Sequence, residues 1–209
     1  MFDAMKTTED MARFLAHREQ LAVEGSSSGA QQDYLQSLVR RSGARLVGEV
    51  GFNAGFSSLA FLNAGQEVKV VSFDIGHHTV VHHAKEFVDE HYPGRHELII
   101  GDSALTVPQY KTEHPHVSFD IIFIDGGHHF DTVKNDIANL RLLSRPETFV
   151  VVDDLTPWHA WGEGPTKAWN EAVAQRIIVQ IEIVKDGQLV HAIEPPGQRS
   201  WALGQYRYE

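Results

Sequence analysis

Acidic residues stand at the ends of the most apolar segments of this chain. Phe119-Asp120-Ile121-Ile122-Phe123-Ile124 runs into Asp125-Gly126-Gly127-His128-His129, and Phe149-Val150-Val151-Val152 runs into Asp153-Asp154. Asp125 and Asp153 are 28 positions apart (153 − 125). That interval holds a helix, so both strand tips can be neighbours on one edge of a sheet. Three carboxylates gathered there (Asp125, Asp153 and Asp154) would repel unless a cation neutralised them or one took up a proton. Oxygen-rich sets of this kind suit Mg²⁺ ahead of Mn²⁺ or Ca²⁺. The plainer alternative is that Asp153-Asp154 only ends a strand and caps the next segment. His128 follows Asp125 by three residues. With an unperturbed pKa of about 6.5, its imidazole can take a hydroxyl proton without large tuning. His129 and Asp131 read as loop and helix-cap residues.

A second constellation binds rather than reacts. Glu49-Val50-Gly51-Phe52-Asn53-Ala54-Gly55 follows the strand-like run Arg45 to Val50 and leads into the helical run Phe56 to Leu62. Strand, glycine turn and helix bring backbone N–H groups up to an anionic ligand group. The spacing is E-x-G-x-x-x-G, with Asn53 where a dinucleotide turn carries its middle glycine, which disfavours a nicotinamide-dependent dehydrogenase. An acidic residue two places before the first glycine suits an ammonium group, as in S-adenosylmethionine. Val68 to Phe73 is a second buried run and ends in Asp74, placed to accept from both hydroxyls of a ribose. Leu98-Ile99-Ile100 ends in Gly101-Asp102-Ser103, polar groups fit to meet an adenine. Glu49, Asp74 and Asp102/Ser103 thus share one sheet edge, and ligands of open α/β sheets bind at the carboxyl edge.

With these residues the chain resembles the class I S-adenosylmethionine-dependent methyltransferases. Within them it is similar to the small metal-dependent O-methyltransferases of the catechol and bacterial natural-product types. The similarity covers about residues 30 to 160. It implies a cofactor pocket lined by Gly51, Ser57, Asp74, Ile75 and Ser103, within a set that also takes in Glu49, Asn53, Gly55, Asp102 and Asp125. Ser57 would hold the methionine carboxylate and Asp74 the ribose, with Ile75 and Ser103 flanking the adenine. The catechol-type enzymes have carboxylates at the positions of Asp125 and Asp153, an asparagine at that of Asp154, and a lysine base at that of His128. Asp154 makes this site more anionic, as in some sugar-modifying bacterial relatives. The implied catalytic pair is His128 and Asp125, and the implied metal set is Asp125, Asp153 and Asp154.

The elements that must hold these residues are set by periodicity. Strands over 45–50, 67–73, 97–100, 119–124 and 148–153 alternate with helices over 56–64, 79–91 and 130–143, the pattern of βαβ units and a parallel sheet. Met11, Phe14, Leu15 and Leu21 give an amphipathic helix over 8–22, with Thr7 or Thr8 as its N-cap. The loop Gly25 to Gly29 separates it from a second helix carrying Leu35, Leu38 and Val39. A helix from Pro165, a strand from Ile177, a turn at Asp186-Gly187 and a strand over 200–206 close the chain. The expected fold is α/β: a Rossmann-like, doubly wound, seven-stranded, mostly parallel sheet with an antiparallel C-terminal hairpin. One domain over 1–209 is expected, with 1–24 as lid or oligomerisation segment, 30–160 as cofactor and metal core and 161–209 as C-terminal helix and hairpin.

Composition narrows the partners. The formal net charge is −10 and no Lys/Arg run occurs, which disfavours nucleic acid and anionic membranes. There is no cysteine, so disulfides, thiolate nucleophiles and Cys-based zinc sites are excluded. No apolar run suits a signal peptide or a membrane span, and a cytoplasmic location is the expectation. His77, His78, His82 and His83 lack a completing ligand and read as a solvated helix face. Trp158, His159 and Trp161 are candidates to wall an acceptor pocket, with core packing the alternative. The expected activity is methyl transfer to a hydroxyl of a small phenolic or sugar-containing molecule, assisted by Mg²⁺. The rivals are a metal-independent N- or O-methyltransferase using His128, and a non-catalytic S-adenosylmethionine-binding protein. The N-terminal helix is expected to cover the acceptor pocket or to pair with a second copy of the chain in a homodimer.

Overall fold

A computed structural model describes residues 6–18 and 27–208. Among these residues eight strands form one sheet: β1 (Leu46–Val50), β2 (Lys69–Asp74), β3 (His96–Ile100), β4 (Ile121–Ile124), β5 (Phe149–Val152), β6 (Ile178–Lys185), β7 (Gln188–Val190) and β8 (Ser200–Tyr206). Their order is β3-β2-β1-β4-β5-β8-β6-β7. The first five are mutually parallel, whereas β8 runs antiparallel to both β5 and β6. Of the parallel strands, β1, β2, β4 and β5 are rich in valine and isoleucine and almost wholly buried, as parallel strands covered by helices must be.

Among the described residues seven α-helices cover the sheet: α1 (Thr8–Ala16), α2 (Gly29–Ser42), α3 (Phe56–Ala64), α4 (Thr79–His91), α5 (Ser103–Glu113), α6 (Phe130–Leu140) and α7 (Glu163–Ala174). One face packs Met11, Leu35, Leu38, Phe61 and Phe87 from α1 to α4 against Val47, Val70, Phe123 and Val151. The other packs Val107, Tyr110, Ile137 and Trp169 from α5 to α7 against Phe73, Ile122 and Val150. Alternate residues of each strand therefore serve opposite cores.

Three expectations change. The sheet has eight strands rather than seven, because the Asp186-Gly187 turn, with both residues at positive φ, folds the short β7 back on β6. The N-terminal helix stops at Ala16, and Leu21 lies outside the described residues, as do Gly25 and Ser26 of the serine loop. Its N-cap is Thr7, in a reciprocal capping box with Asp10. Met11 and Leu15 are buried within this chain, and Phe14 meets Phe87 edge-on at 5.1 Å, so much of the apolar face of α1 is used against α3 and α4. Finally, α5 fills the interval after β3 that periodicity left blank. Pro108 sits inside it and only Val107 and Tyr110 are buried, so neither propensity nor pattern announces a helix. No helix among the described residues is long and apolar enough to cross a membrane.

Candidate active site

The carboxyl ends of β1 to β4 open into one cleft of about 790 Å³. Its wall begins with Val50 to Ala54 at the β1 turn and Phe56 and Ser57 at the start of α3. Asp74, Ile75, His77 and His78 follow β2, and Gly101, Asp102 and Ser103 follow β3. Asp125 to His129, Thr132, Asp154 and Ser27 complete it. Of the sequence-derived binding set, Gly51, Asn53, Ser57, Asp74, Ile75, Asp102, Ser103 and Asp125 all line this space. Glu49, Gly55 and Asp153 do not.

Close approach of β1 and β4 dictates the glycine turn. Gly51 has φ +94°, and a Cβ there would stand 2.0 Å from the backbone oxygen of Asp125. Only glycine tolerates both the conformation and the contact. The turn is then clamped from β2: Asp74 Oδ2 accepts from the backbone N–H groups of Phe52 and Asn53, each at 2.9 Å. Its Oδ1 accepts from Gly76 N–H at 2.7 Å. Asp74 thus shapes the loop as well as facing the cleft, and three accepted bonds leave lone-pair capacity on its two oxygens for a ligand hydroxyl.

Glu49 lies beneath the cleft, fully buried. Ser57 donates to its Oε1, while Ser58 and Ser72 donate to Oε2 at 2.5 and 2.6 Å. Burial pushes the Glu49 carboxyl above its ordinary range, and the three hydroxyls oppose that shift. Ser72 also meets His96 Nε2 at 2.9 Å, and the His96 ring stacks on Phe52 at 4.7 Å. Burial there depresses the His96 pKa to about 3, with the Lys85 charge adding to the effect. Glu49 is therefore the hub of a polar layer under the turn and not a wall of the cleft. Ser58, Ser72 and His96 were missed in the sequence. For Ser72 the available signal was a polar residue within an apolar run, for His96 a polar residue opening a strand, and for Ser58 a second serine at the start of an apolar helix.

At the other end of the cleft, Asp125, His128 and Asp154 each offer one ligand atom within 4.8 Å of the others. His128 Nε2 is 2.8 Å from Asp154 Oδ2. That bond, and then the charges of Asp154 and Asp153, raise the His128 pKa against the opposing effect of burial. Asp125 titrates well above the ordinary carboxylate range, first through burial and then through the Asp153, Asp154 and Glu49 charges. Asp154 has φ +59°, a left-handed conformation that Asp and Asn adopt more readily than other side-chain residues. This kink turns two adjacent carboxylates in different directions. Asp154 faces the cleft, while Asp153 turns into the interior and accepts from Gln31 Nε2 at 2.5 Å. Burial and the Asp154 charge raise the Asp153 pKa to about 7.

The expected trio Asp125, Asp153 and Asp154 is thus not the trio that converges in the cleft: His128 takes the place of Asp153. Asp125 and Asp154, with the Asp153 charge close by, gather like charge in the cleft, and together with the His128 imidazole they fit a divalent cation by their chemistry. Gly164 at the start of α7 packs the His128 loop closely, since a Cβ there would stand 2.1 Å from His128 O.

Other candidates have different work. Trp158 Nε1 donates to Gly197 O at 2.8 Å, and His159 stacks on Trp161 at 4.4 Å. Trp158 and His159 thus both reach Gly197 before β8, Trp161 only stacks on His159, and none of the three lines the cleft. His77 and His78 do line it, whereas His82 is exposed on α4. Asp102 caps α5 by accepting from Ala104 N–H at 2.9 Å. Ser103 donates to Asp136 Oδ1 at 2.6 Å.

A family model described as a methyltransferase domain matches residues 49–155. An O-methyltransferase from Bacillus cereus, solved in complex with SAH, superposes with a TM-score of 0.74 at 18% identity, over 94% of this chain and 89% of that one. TomG from Streptomyces achromogenes, an O-methyltransferase of tomaymycin synthesis solved with SAM, gives 0.73 at 18% identity over 99% and 92%. CalS11, a TDP-rhamnose 3'-O-methyltransferase of calicheamicin biosynthesis, gives 0.63 at 16% identity over 96% and 87%. At these identities the likeness is one of fold. No curated protein sequence matches the chain.

Proposed function

The chain belongs to the methyltransferase-domain family, and from that premise we propose an S-adenosylmethionine-dependent O-methyltransferase acting on a small hydroxylated acceptor with a divalent cation. One observation carries the reading. The glycine turn with Asp74 and the Asp125–His128–Asp154 cluster open into the same cleft, so a cofactor held by the first would be a neighbour of an acceptor held at the second. Residues 1–209 are taken as one domain of this activity.

Asp74 would receive the ribose, and Ile75 and Ser103 the adenine side. The amino-acid end of the cofactor would sit over the start of α3, where free backbone N–H groups suit a carboxylate. Asp125 and Asp154 would hold the cation, joined by His128 or leaving His128 free as base. When bound, the cation supplies Lewis acidity that lowers the pKa of the acceptor hydroxyl. The remaining work belongs to the chain. The cleft aligns the acceptor oxygen with the sulfonium methyl, and holding two reactants in line removes much of the entropic barrier. His128 removes the hydroxyl proton, oriented by Asp154. A phenol or a sugar hydroxyl fits this chemistry. The anionic pair Asp125 and Asp154 favours Mg²⁺, and the imidazole beside them also admits Mn²⁺.

A second reading rests on the 2.8 Å His128–Asp154 contact. In that reading a histidine oriented by a carboxylate is base enough without a cation. Labelled S-adenosylmethionine offered with a panel of phenols and sugar nucleotides, with and without chelator, tests both. Turnover lost in chelator and restored by Mg²⁺ or Mn²⁺ supports the first reading. Turnover indifferent to chelator supports the second, and no transfer to any hydroxyl counts against O-methylation.

A further inference from the structure

Asp136 on α6 is a buried carboxylate, 1% exposed, to which the proposed reaction gives no role. Its Oδ1 accepts the Ser103 hydroxyl at 2.6 Å, and its Oδ2 has no hydrogen-bond partner. Burial is the main cause that pushes its pKa up to about 6, against the Ser103 bond, which still leaves it ionised at neutral pH. An ionised carboxylate only accepts. The Ser103 proton is therefore committed to Asp136, and Ser103, which lines the cleft, can present only lone pairs to a ligand.

Its surroundings suit a purine. Asp74 and Ile100 are register partners at the tips of β2 and β3, so the segments carrying Ile75 and Ser103 leave the sheet side by side. Ile75 is 48% exposed and lines the same cleft, an apolar surface open to a flat ring. An acceptor beside such a surface reads the edge of a base by what that edge donates.

We infer that Asp136 fixes Ser103 as a hydrogen-bond acceptor and so makes the cleft select a 6-amino purine over a 6-oxo purine. This rests on the proposed cofactor, and it assigns Asp136 as a positioning residue acting through Ser103. A 6-amino group donates to Ser103, whereas a 6-oxo group would set lone pairs against lone pairs. Asparagine at 136 can donate its own N–H to Ser103 Oγ, which frees the hydroxyl to donate to a 6-oxo group.

Calorimetry with S-adenosylhomocysteine and its deaminated analogue S-inosylhomocysteine tests this on the full chain. The native protein should prefer the adenosine compound by about tenfold or more, as sites built around one hydrogen bond reject the mismatched group. In Asp136→Asn the preference should fall towards unity. Ser103→Ala should also lose it, and adding Asp136→Asn to Ser103→Ala should change the ratio no further. A merely structural Asp136 would weaken both ligands alike and leave the ratio intact. An unchanged ratio in Asp136→Asn, or in Ser103→Ala should the first variant not fold, overturns the inference. Adenosine compound bound without preference overturns it while leaving the cofactor reading standing. Binding of neither compound removes that reading, and the inference with it.

Discussion

His128 Nε2 and Asp154 Oδ2 meet at 2.8 Å across the mouth of the cleft, joining the loop after β4 to the turn after β5. The contact exists because Asp154 takes a left-handed backbone conformation while its neighbour Asp153 does not share its direction. The two adjacent aspartates should therefore behave differently when mutated. Asp154→Asn removes charge from the cleft and loosens His128, and we expect turnover to fall about 10²-fold or more with weakened Mn²⁺ binding. Asp153→Asn keeps a side chain that can still bond Gln31, and it should reduce metal affinity less. Titration with Mn²⁺ followed by electron paramagnetic resonance separates them. Equal metal affinity in both variants would return Asp153 to the ligand set.

His128→Ala probes the base. If His128 removes the acceptor proton, kcat should drop by roughly 10²–10⁴-fold with cofactor affinity nearly unchanged. Steady-state kinetics beside S-adenosylhomocysteine calorimetry makes the check. A variant at full kcat leaves deprotonation to solvent.

Asp74→Ala should damage the cofactor end in two ways. It removes a prospective partner of the ribose and releases the Phe52, Asn53 and Gly76 amides that the carboxylate now holds. Charge-assisted bonds are each worth about 1.5–3 kcal/mol, so affinity should fall at least tenfold. Affinity within twofold of native would show that the turn holds itself and the ribose binds elsewhere.

How much of this could be read from the chain depends on how locally each feature is encoded. The parallel strands β1 to β5 are continuous apolar runs with polar ends, and the elements around Asp74 and Asp125 emerged at their expected places. Helix α5 did not, because Pro108 and a half-exposed composition hide its period. Gly51 was legible as a turn residue, but its contact with the Asp125 carbonyl is a property of two strands 74 positions apart (125 − 51). Adjacent residues of a strand end look alike in sequence, and only the kink at Asp154 decides which carboxylate enters the cleft. Gln31 and Asp136 reach their partners Asp153 and Ser103 from helices distant in the chain, and no spacing rule connects them.

Gly51→Ala should be among the most damaging single changes. The added methyl would overlap the Asp125 carbonyl oxygen at 2.0 Å and force a positive φ on alanine. Backbone strain of this kind costs about 1–3 kcal/mol before the clash is relieved. We expect a clear drop in the urea midpoint together with lost activity, since relief must move the tip carrying Asp125. A variant with native stability would mean that the two strand tips part easily.

The buried His96 should make stability pH-dependent in one direction. Its pKa of about 3 in the folded chain lies below the ordinary 6.5 expected when unfolded. Above about pH 6.5 both states are neutral and its burial carries no ionisation penalty. Between about 6.5 and 3 the unfolded chain binds a proton that the folded chain refuses, so stability is lost as pH falls, by at most about 1.4 kcal/mol per pH unit. The raised carboxyl of Asp136 acts with the opposite sign: its stabilisation is fully present below about pH 3.8 and lost as pH rises towards 6. Total stability mixes these two with the other shifted groups, Glu49, Asp125, His128 and Asp153 among them, and a variant comparison isolates the histidine. His96→Phe keeps an aromatic ring against Phe52 and leaves Ser72 its bond to Glu49. Urea unfolding of native and variant protein at pH 7.5, 6.0 and 5.0 should show the gap moving in favour of the variant as pH falls. A gap that stays constant across that range would mean that His96 takes up its proton over the same pH range in the folded chain as in the unfolded one, with Glu49 as the nearby group able to hold that charge through Ser72.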